Sequence, residues 1–297
     1  MAHLQSHIRY RGSLVSITEV RCRPSTCRLS GEEQTDTPEI VFPRTGVFVK
    51  HTGAHQILAD ANQVLFFNAN EVYRVSHPIL GGDDCTSFVF SADVVAEAIG
   101  LYRRVIRLDP QRPYCRSHGL LRLQTIARHQ RLRRRLDDPS ATALEIEELA
   151  LQLLKDVLTD VEGEHTECRR QRADTLQLQR RWTENVKLLI AERPEAKFSL
   201  PEIARKVHCS AFHLSRIFRA TVGSSIHQYQ LRLRLALALD QLGDGSQSLT
   251  ELALALGFSS HSHFTAAFQQ AFGFSPSDFR RIRTARHMRK LSKILKA

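Results

Sequence analysis

The sequence lacks long apolar runs, paired cysteines and any familiar catalytic motif. No apolar stretch approaches the about 18 residues that a bilayer-spanning helix needs, and the N-terminus is polar, so we expect no membrane span and no secretory signal. Catalytic Ser-His-Asp or Cys-His patterns and glycine-rich phosphate loops are also missing, so we expect neither an enzyme nor a cofactor. The cysteines form no C-x-x-C pair, which argues against structural zinc and favours reduced thiols in a cytoplasmic protein. They are scattered along the chain: Cys22, Cys27, Cys85, Cys115, Cys168 and Cys209.

Acidic residues are scarce in the last part of the chain. The whole sequence has 42 Lys and Arg against 31 Asp and Glu, but residues 181–297 alone have 18 basic against 8 acidic side chains. Nearly all of the excess positive charge therefore lies in this segment, as expected for a protein that binds a polyanion. A basic domain without a nucleic-acid partner would not explain why the same segment carries a repeated motif.

That motif occurs twice, at Ser199–Phe218 and at Leu249–Phe268. Each copy predicts a short apolar helix, a tight polar turn and a second helix with apolar residues at i, i+3/i+4 and i+7. This is the layout of a helix-turn-helix, whose second helix enters the DNA major groove. Two copies in one chain predict a monomeric unit that reads two successive grooves.

Helical spacing divides the second helix of each copy into two faces. In the first copy, Leu214, Ile217 and Phe218 share the face expected to enter the core. Arg216, on the other face, can bind guanine or a phosphate, and Phe212 can press on a thymine methyl or join the core. The predicted base-contacting residues are Ala211, Phe212, Ser215 and Arg216 in the first copy and His261, Ser262, Thr265 and Ala266 in the second, where Phe264 and Phe268 point inward. The predicted phosphate-contacting residues are Arg219, His263, Arg280, Arg281 and Arg283.

Residues 180–281 resemble the DNA-binding domain of the AraC/XylS family of transcription regulators. The resemblance lies in Leu200–Ala204, Ser210–Phe218, Ala253–Phe258, His263-Phe264, Phe268 and Phe272–Arg280, the last reading aromatic-Gly-x-Ser-Pro-x-x-aromatic-Arg. It implies double-stranded DNA and RNA polymerase as partners, and activation of transcription at the nucleoid. It also implies that a helix at Ile226–Leu239 holds the two recognition helices about one DNA turn, or about 34 Å, apart. Ala266 stands where many relatives carry a long polar residue, so we expect less base readout from the second copy.

Residues from about 14 to 91 favour short strands. Residues 40–91 resemble the cupin-type sensor domains that often precede this DNA-binding domain, which implies a small antiparallel barrel and a small-molecule effector. The candidate pocket residues are His51, His55, Tyr73 and His77; a tyrosine replaces a ligand histidine of metal-binding cupins, so we predict no metal. The predicted strands are Glu39–Phe42, Thr45–Lys50, Gln63–Phe67, Val72–Ser76 and Thr86–Ser91.

From Ala92 onward the apolar spacing becomes helical. The predicted helices are Asp93–Tyr102, Cys115–Leu136, Ala141–Leu158 and Arg169–Glu192. The apolar faces within residues 115–160 suggest a homodimer interface. The basic run Arg131–Arg135 is interpreted as a solvated face beside the acidic Glu145–Glu148, with DNA contact as the alternative.

The predicted fold is therefore a two-domain α+β protein. Its parts are a cupin-like β domain (1–105), a helical connector or dimerisation segment (106–175), the tandem helix-turn-helix domain (176–284) and a basic tail (285–297). The predicted function is a sequence-specific transcription regulator. The alternatives are an architectural DNA binder without sequence preference and a metal-dependent cupin enzyme.

Overall fold

The computed structural model describes residues 3–101, 109–162, 173–242 and 247–281, so Arg283, Cys168 and the basic tail lie outside the described residues. The strands are β1 (His3–Arg11), β2 (Val15–Arg23), β3 (Glu39–Gly46), β4 (Phe48–Thr52), β5 (His55–Ala59), β6 (Gln63–Phe67), β7 (Arg74–Ser76), β8 (Asp83–Phe90) and β9 (His118–Leu120). The helices are α1 (Ala92–Gly100), α2 (Leu123–Leu136), α3 (Ala143–Glu162), α4 (Ala173–Glu192), α5 (Leu200–Lys206), α6 (Ala211–Val222), α7 (Ile226–Gln241), α8 (Leu249–Ala255) and α9 (His261–Phe272). None of these helices is both long and apolar enough to span a bilayer.

The strands form two antiparallel sheets that pack against each other. One has six strands in the order β1-β2-β8-β3-β6-β9, and the other has three in the order β5-β4-β7. Strand β6 is buried on both faces: Leu65 and Phe67 pack towards the three-stranded sheet, and Val64 and Phe66 join the core on the other side. Among the described strands no hydrogen-bonded ladder joins the two sheets into the closed barrel that we expected.

Helices cover the other face of the six-stranded sheet. Helix α3 is predicted well, but its apolar positions are buried inside this same chain, including Leu153, Val157 and Leu158. The apolar face that suggested a dimer is therefore already covered within the monomer.

The predicted helix Cys115–Leu136 is wrong at its start. The chain first forms β9, which pairs with β6, and α2 begins only at Leu123. The consecutive leucines at 120, 121 and 123 imitate a helical apolar face, although the first of them belongs to the sheet edge. Strand β1 was not predicted. Most of its side chains are exposed, so its sequence has no alternating apolar pattern that would indicate a strand.

Three arginines of the basic run on α2, Arg133, Arg134 and Arg135, are engaged within the protein, whereas Arg131 is exposed. Arg135 pairs with Asp138 and Glu145, as the interpretation beside the acidic stretch expects. Arg133 bonds Glu19 at 3.2 Å and Asp240 at 2.9 Å, so it joins a strand of the N-terminal half to the end of α7.

The C-terminal helices repeat the same local design. Ser199 and Ser248 each cap a helix in a reciprocal capping box with the glutamate three residues later, which satisfies two backbone donors at each helix start. Ser210 and Ser260 then cap α6 and α9, which are both 12 residues long and both end at a left-handed glycine. The turn inside each pair also has a left-handed residue, His208 in the first and Gly257 in the second.

Helix α7 is the predicted connector, and it also carries the main contact between the two halves. Tyr229 is fully buried, and its hydroxyl donates to Asp60 Oδ2 at 2.5 Å. Asn62 Nδ2 donates to the Tyr229 carbonyl at 3.1 Å, and Gln63 Nε2 lies 3.2 Å from the Tyr229 hydroxyl oxygen. The β5–β6 turn is thereby bonded to the middle of the helical region.

We predict that Gly257→Ala destabilises the protein more than Gly273→Ala does. Both residues have left-handed φ, of +78° and +80°, so each alanine should cost about 1 kcal/mol of backbone strain. A Cβ at position 257 would also lie 2.2 Å from the Glu195 carbonyl oxygen, whereas no atom lies within 4 Å at position 273. Backbone must move only at position 257, so we expect a loss of about 3 kcal/mol there by urea unfolding. Equal losses would contradict this account of the turn.

We also predict a pH dependence that comes from Asp60. Burial raises the pKa of Asp60 above its ordinary 3.8, because the charged carboxylate loses hydration. Stability from the protonated group is fully present below that unfolded value and is lost as the pH rises towards the folded pKa. The variant Asp60→Asn keeps an acceptor for Tyr229 but cannot ionise. In urea titrations across pH 4 to 7.5, its stability relative to wild type should therefore rise with pH; a constant difference would refute the burial argument.

Candidate nucleic-acid interface

The outward face of α6 presents three of its four predicted base-contacting residues to solvent. Ser215 and Arg216 are exposed and Ala211 is half-buried, whereas Leu214, Ile217 and Phe218 are buried as predicted. Phe212 is 81% exposed, so of its two possible roles the structure rules out the core. Within the described residues no ion pair or hydrogen bond engages the Arg216 guanidinium, which leaves a bidentate donor at the centre of an exposed helix face.

The outward face of α9 is less exposed and carries no charge. Ser262 and Ala266 are exposed, while His261 and Thr265 are half-buried. Phe264 and Phe268 are fully buried, as predicted. This face offers short polar groups rather than a long side chain, consistent with the expectation of weaker base readout from the second copy.

The predicted phosphate-contacting residues differ in how exposed they are and in whether other side chains bind them. Arg219 is exposed on α6, and His263 is exposed with its Nδ1 3.0 Å from the Ser259 hydroxyl. Arg281 is exposed and pairs with Asp278 at 2.9 Å, and Arg280 is half-buried. The fifth, Arg283, lies beyond the described residues.

Helices α6 and α9 are each braced by a helix outside their own pair. Helix α4 packs on α6, where the Trp182 and His213 rings meet edge to face with centroids 5.7 Å apart. Helix α2 packs on α7 and α9, and its Arg134 guanidinium stacks 3.3 Å above the Phe279 ring. The orientation of α9 is therefore tied to the N-terminal half.

The predicted effector-pocket residues have separate contacts in the structure. His51 bonds Ser76 at 2.8 Å, His55 is exposed, and Tyr73 packs edge to face on Phe67. His77 is buried against Asp83, with His77 Nε2 2.6 Å from Asp83 Oδ1. A groove of about 400 Å³ lies beside the β1–β2 turn, and other residues line it.

In the part of the chain that the structure describes, the cysteine of the cluster Cys22, His77 and Asp83 is not an activated nucleophile. Burial, followed by the charge of Asp83, raises the pKa of the Cys22 thiol to about 11. The thiol is therefore protonated at neutral pH, whereas a catalytic cysteine needs a lowered pKa.

Comparison with known proteins agrees with the geometry of the C-terminal helices. Residues 203–282 match the model of a helix-turn-helix domain family. The Msm operon regulatory protein of Streptococcus mutans is 31% identical over 100 residues, which are 34% of this chain and 36% of that protein. PqrA of Proteus vulgaris, described as a probable transcription factor, is 37% identical over 78 residues, which are 26% of this chain and 64% of that protein. A crystal structure from Chromobacterium violaceum of a transcriptional regulator with an AraC-type DNA-binding domain is 31% identical over 35% of this chain and 93% of its own, with a TM-score of 0.33.

Residues 203–282 are a helix-turn-helix domain, and this region is similar to AraC-type DNA-binding domains. The matched region is about a third of this chain and about a third of the Streptococcus protein. Within this region, helical spacing separated the exposed from the buried side chains of α6 and α9 but missed the inter-half contacts of Tyr229. The signal available for those contacts was a tyrosine in a helix whose other apolar residues are leucine, isoleucine and alanine.

We predict that Phe212→Ala leaves the fold intact, whereas Phe218→Ala does not. Both phenylalanines lie on α6, but the first is 81% exposed and the second fully buried. An exposed substitution should change the free energy of unfolding by no more than about 0.5 kcal/mol, and the loss of a buried phenylalanine should cost about 3–5 kcal/mol. Urea unfolding measures both. Similar losses in the two variants would place Phe212 in the core and remove it from the recognition face.

Proposed function

We propose that this protein is a sequence-specific DNA-binding transcription regulator whose two helix pairs read successive major grooves. The observation that carries this proposal is the exposed face of α6, where Phe212 and Arg216 project from a helix whose opposite face is fully packed. A helix in the major groove uses both an exposed aromatic ring and an arginine that no other described residue binds. Arginine bonds guanine O6 and N7, and an apolar ring contacts the thymine methyl.

Base readout in this proposal is unequal between the two helices. Helix α6 supplies the strong discriminating contacts. Helix α9 supplies hydroxyl and imidazole groups that fit phosphates and weaker base contacts, since Ala266 replaces a long side chain. Non-specific affinity comes from the excess of basic residues after residue 180, so binding should weaken steeply with salt.

The remaining assignments extend the resemblance to AraC-type regulators. The two-sheet unit is a sensor that shifts the balance between DNA-competent and incompetent arrangements of the helices. RNA polymerase is the second partner, activation is the expected sign of regulation, and the nucleoid in the cytoplasm is the place of action. No dimer is needed, because one chain carries both recognition helices.

Selection of genomic fragments by the full-length protein tests the function. The selected fragments are titrated beside scrambled controls at two salt concentrations. A shared motif bound far more tightly than its scrambled form supports a sequence-specific regulator. Equal affinity for both DNAs would instead show an architectural binder.

Two arginines on α6 provide a matched pair for the mechanism. Arg216→Ala should weaken binding to the selected site about 5- to 150-fold and relax the preference at one guanine position, because a bidentate base contact contributes about 1–3 kcal/mol. Arg219→Ala should weaken selected and scrambled DNA alike and reduce the salt slope by about one, because it neutralises a phosphate. If Arg216→Ala also weakens both DNAs equally, Arg216 is a phosphate contact and the assignment of base readout to it is wrong.

A further inference from the structure

Three side chains of metal-binding types meet in the N-terminal half, outside the DNA-binding surface. One potential ligand atom each from Cys22, His77 and Asp83 lies within 4.8 Å of the other two. All three residues are buried, with 8%, 5% and 5% of their surface exposed. A fourth group is close, since Cys85 Sγ lies 3.0 Å from Asp83 Oδ2.

Sheet register explains why these residues converge although they are far apart in sequence. Cys22 on β2 is directly opposite Asp83 on β8, so their side chains leave the same face of the six-stranded sheet. Cys85 is two residues further along β8 and shares that face. His77 directly follows β7, so it reaches the cluster from the three-stranded sheet. The sequence has no C-x-x-C pair, which argued against zinc. Pairing between strands brings the potential ligands close together instead.

The charge balance of the cluster favours a cation. Asp83 is a buried carboxylate, and within the described residues its side chain forms an ion pair with His77 but with no lysine or arginine. Buried carboxylates are usually paired with a cation or bound to a metal, because burial removes their hydration. A divalent ion would add positive charge at the Asp83 carboxylate, because the Arg23 guanidinium bonds the Asp83 backbone carbonyl at 2.9 Å rather than the side chain.

The backbone around the cluster is tightly packed. A Cβ on Gly82 would lie 1.8 Å from the Cys22 carbonyl oxygen, and Gly82 has a left-handed φ of +75°. Only glycine therefore allows the loop between His77 and Asp83 to close onto the end of β2. This close approach fixes the positions from which the ligands project.

We propose that Cys22, His77 and Asp83 bind a zinc-like divalent cation that crosslinks the two sheets. Thiolate, imidazole and carboxylate are the ligands zinc takes in proteins, and its bond lengths place ligand atoms about 3.5 Å apart, within the span of this cluster. Water or Cys85 completes the tetrahedron. This site is independent of the proposed DNA-binding function.

Metal titration of the full-length wild-type protein tests the proposal. Protein stripped with a chelator is titrated with Zn²⁺ against a chromophoric competitor, and with Co²⁺ under absorption spectroscopy. We expect one ion per chain, a thiolate-to-cobalt charge-transfer band, and a higher melting temperature with Zn²⁺, since the ligands come from both sheets. No uptake by the wild-type protein would overturn the proposal and leave a hydrogen-bonded cluster without metal.

Cysteine variants identify the ligands. Cys22→Ser should abolish the charge-transfer band or reduce it to what Cys85 alone contributes, and should remove the thermal shift. Cys85→Ser should weaken binding about 10- to 100-fold if the thiol only supports Asp83, or also weaken the band if it is a ligand. Cys115→Ser, an exposed cysteine in the same half, is the matched control and should behave as wild type. A band and affinity that survive Cys22→Ser unchanged would place the metal elsewhere and refute the site.

Discussion

Tyr229 lies fully buried where the connector helix meets the N-terminal half, and its hydroxyl donates to the equally buried Asp60. Asn62 bonds the backbone of the same tyrosine, so both ends of the residue are held by one turn of the sheet region. A buried polar group that loses its hydrogen-bond partner destabilises the fold by about 1–3 kcal/mol, so moving α7 away from this turn would be strongly unfavourable. The position of α7 relative to the sheets follows from them.

The recognition helices depend on that position. Helix α7 joins the two helix pairs, and Arg133 and Arg44 approach Asp240 near its end from the N-terminal half. Helix α4 braces α6, and α2 braces α9. The hydrophobic core is accordingly continuous from the six-stranded sheet into the C-terminal helices. Any event that moves α2 relative to the sheets would change the spacing of the two reading faces, which gives the proposed sensor a physical route to DNA.

Local patterns in the sequence were sufficient for the C-terminal helices. Helical spacing correctly separated the buried Leu214 and Phe218 from the exposed Arg216, because the two faces differ sharply in polarity. It could not place Phe212, since an aromatic residue at the edge of a face fits core or solvent. That these exposed side chains contact DNA remains a prediction.

The same local patterns could not predict which residues pair over long distances in the sequence. Cys22 and Asp83 become neighbours only through the register of β2 and β8, which no local spacing encodes. Helix α7 is apolar on most sides, so periodicity could not single out Tyr229 as an inter-half contact. The expected effector pocket did not come from local spacing either: a resemblance supplied its residues, and the sheets direct His51 and His77 to separate partners.

The central claim is that one chain holds the two proposed recognition helices, α6 and α9, at a fixed spacing and binds two successive major grooves with them. Hydroxyl-radical footprinting of the full-length protein on a selected DNA site tests this most directly. The account predicts two protected segments on one face of the duplex, about one helical turn or about 34 Å apart, present at protein concentrations where the chain is monomeric. A single protected segment, or two that appear only when the protein dimerises, would contradict it.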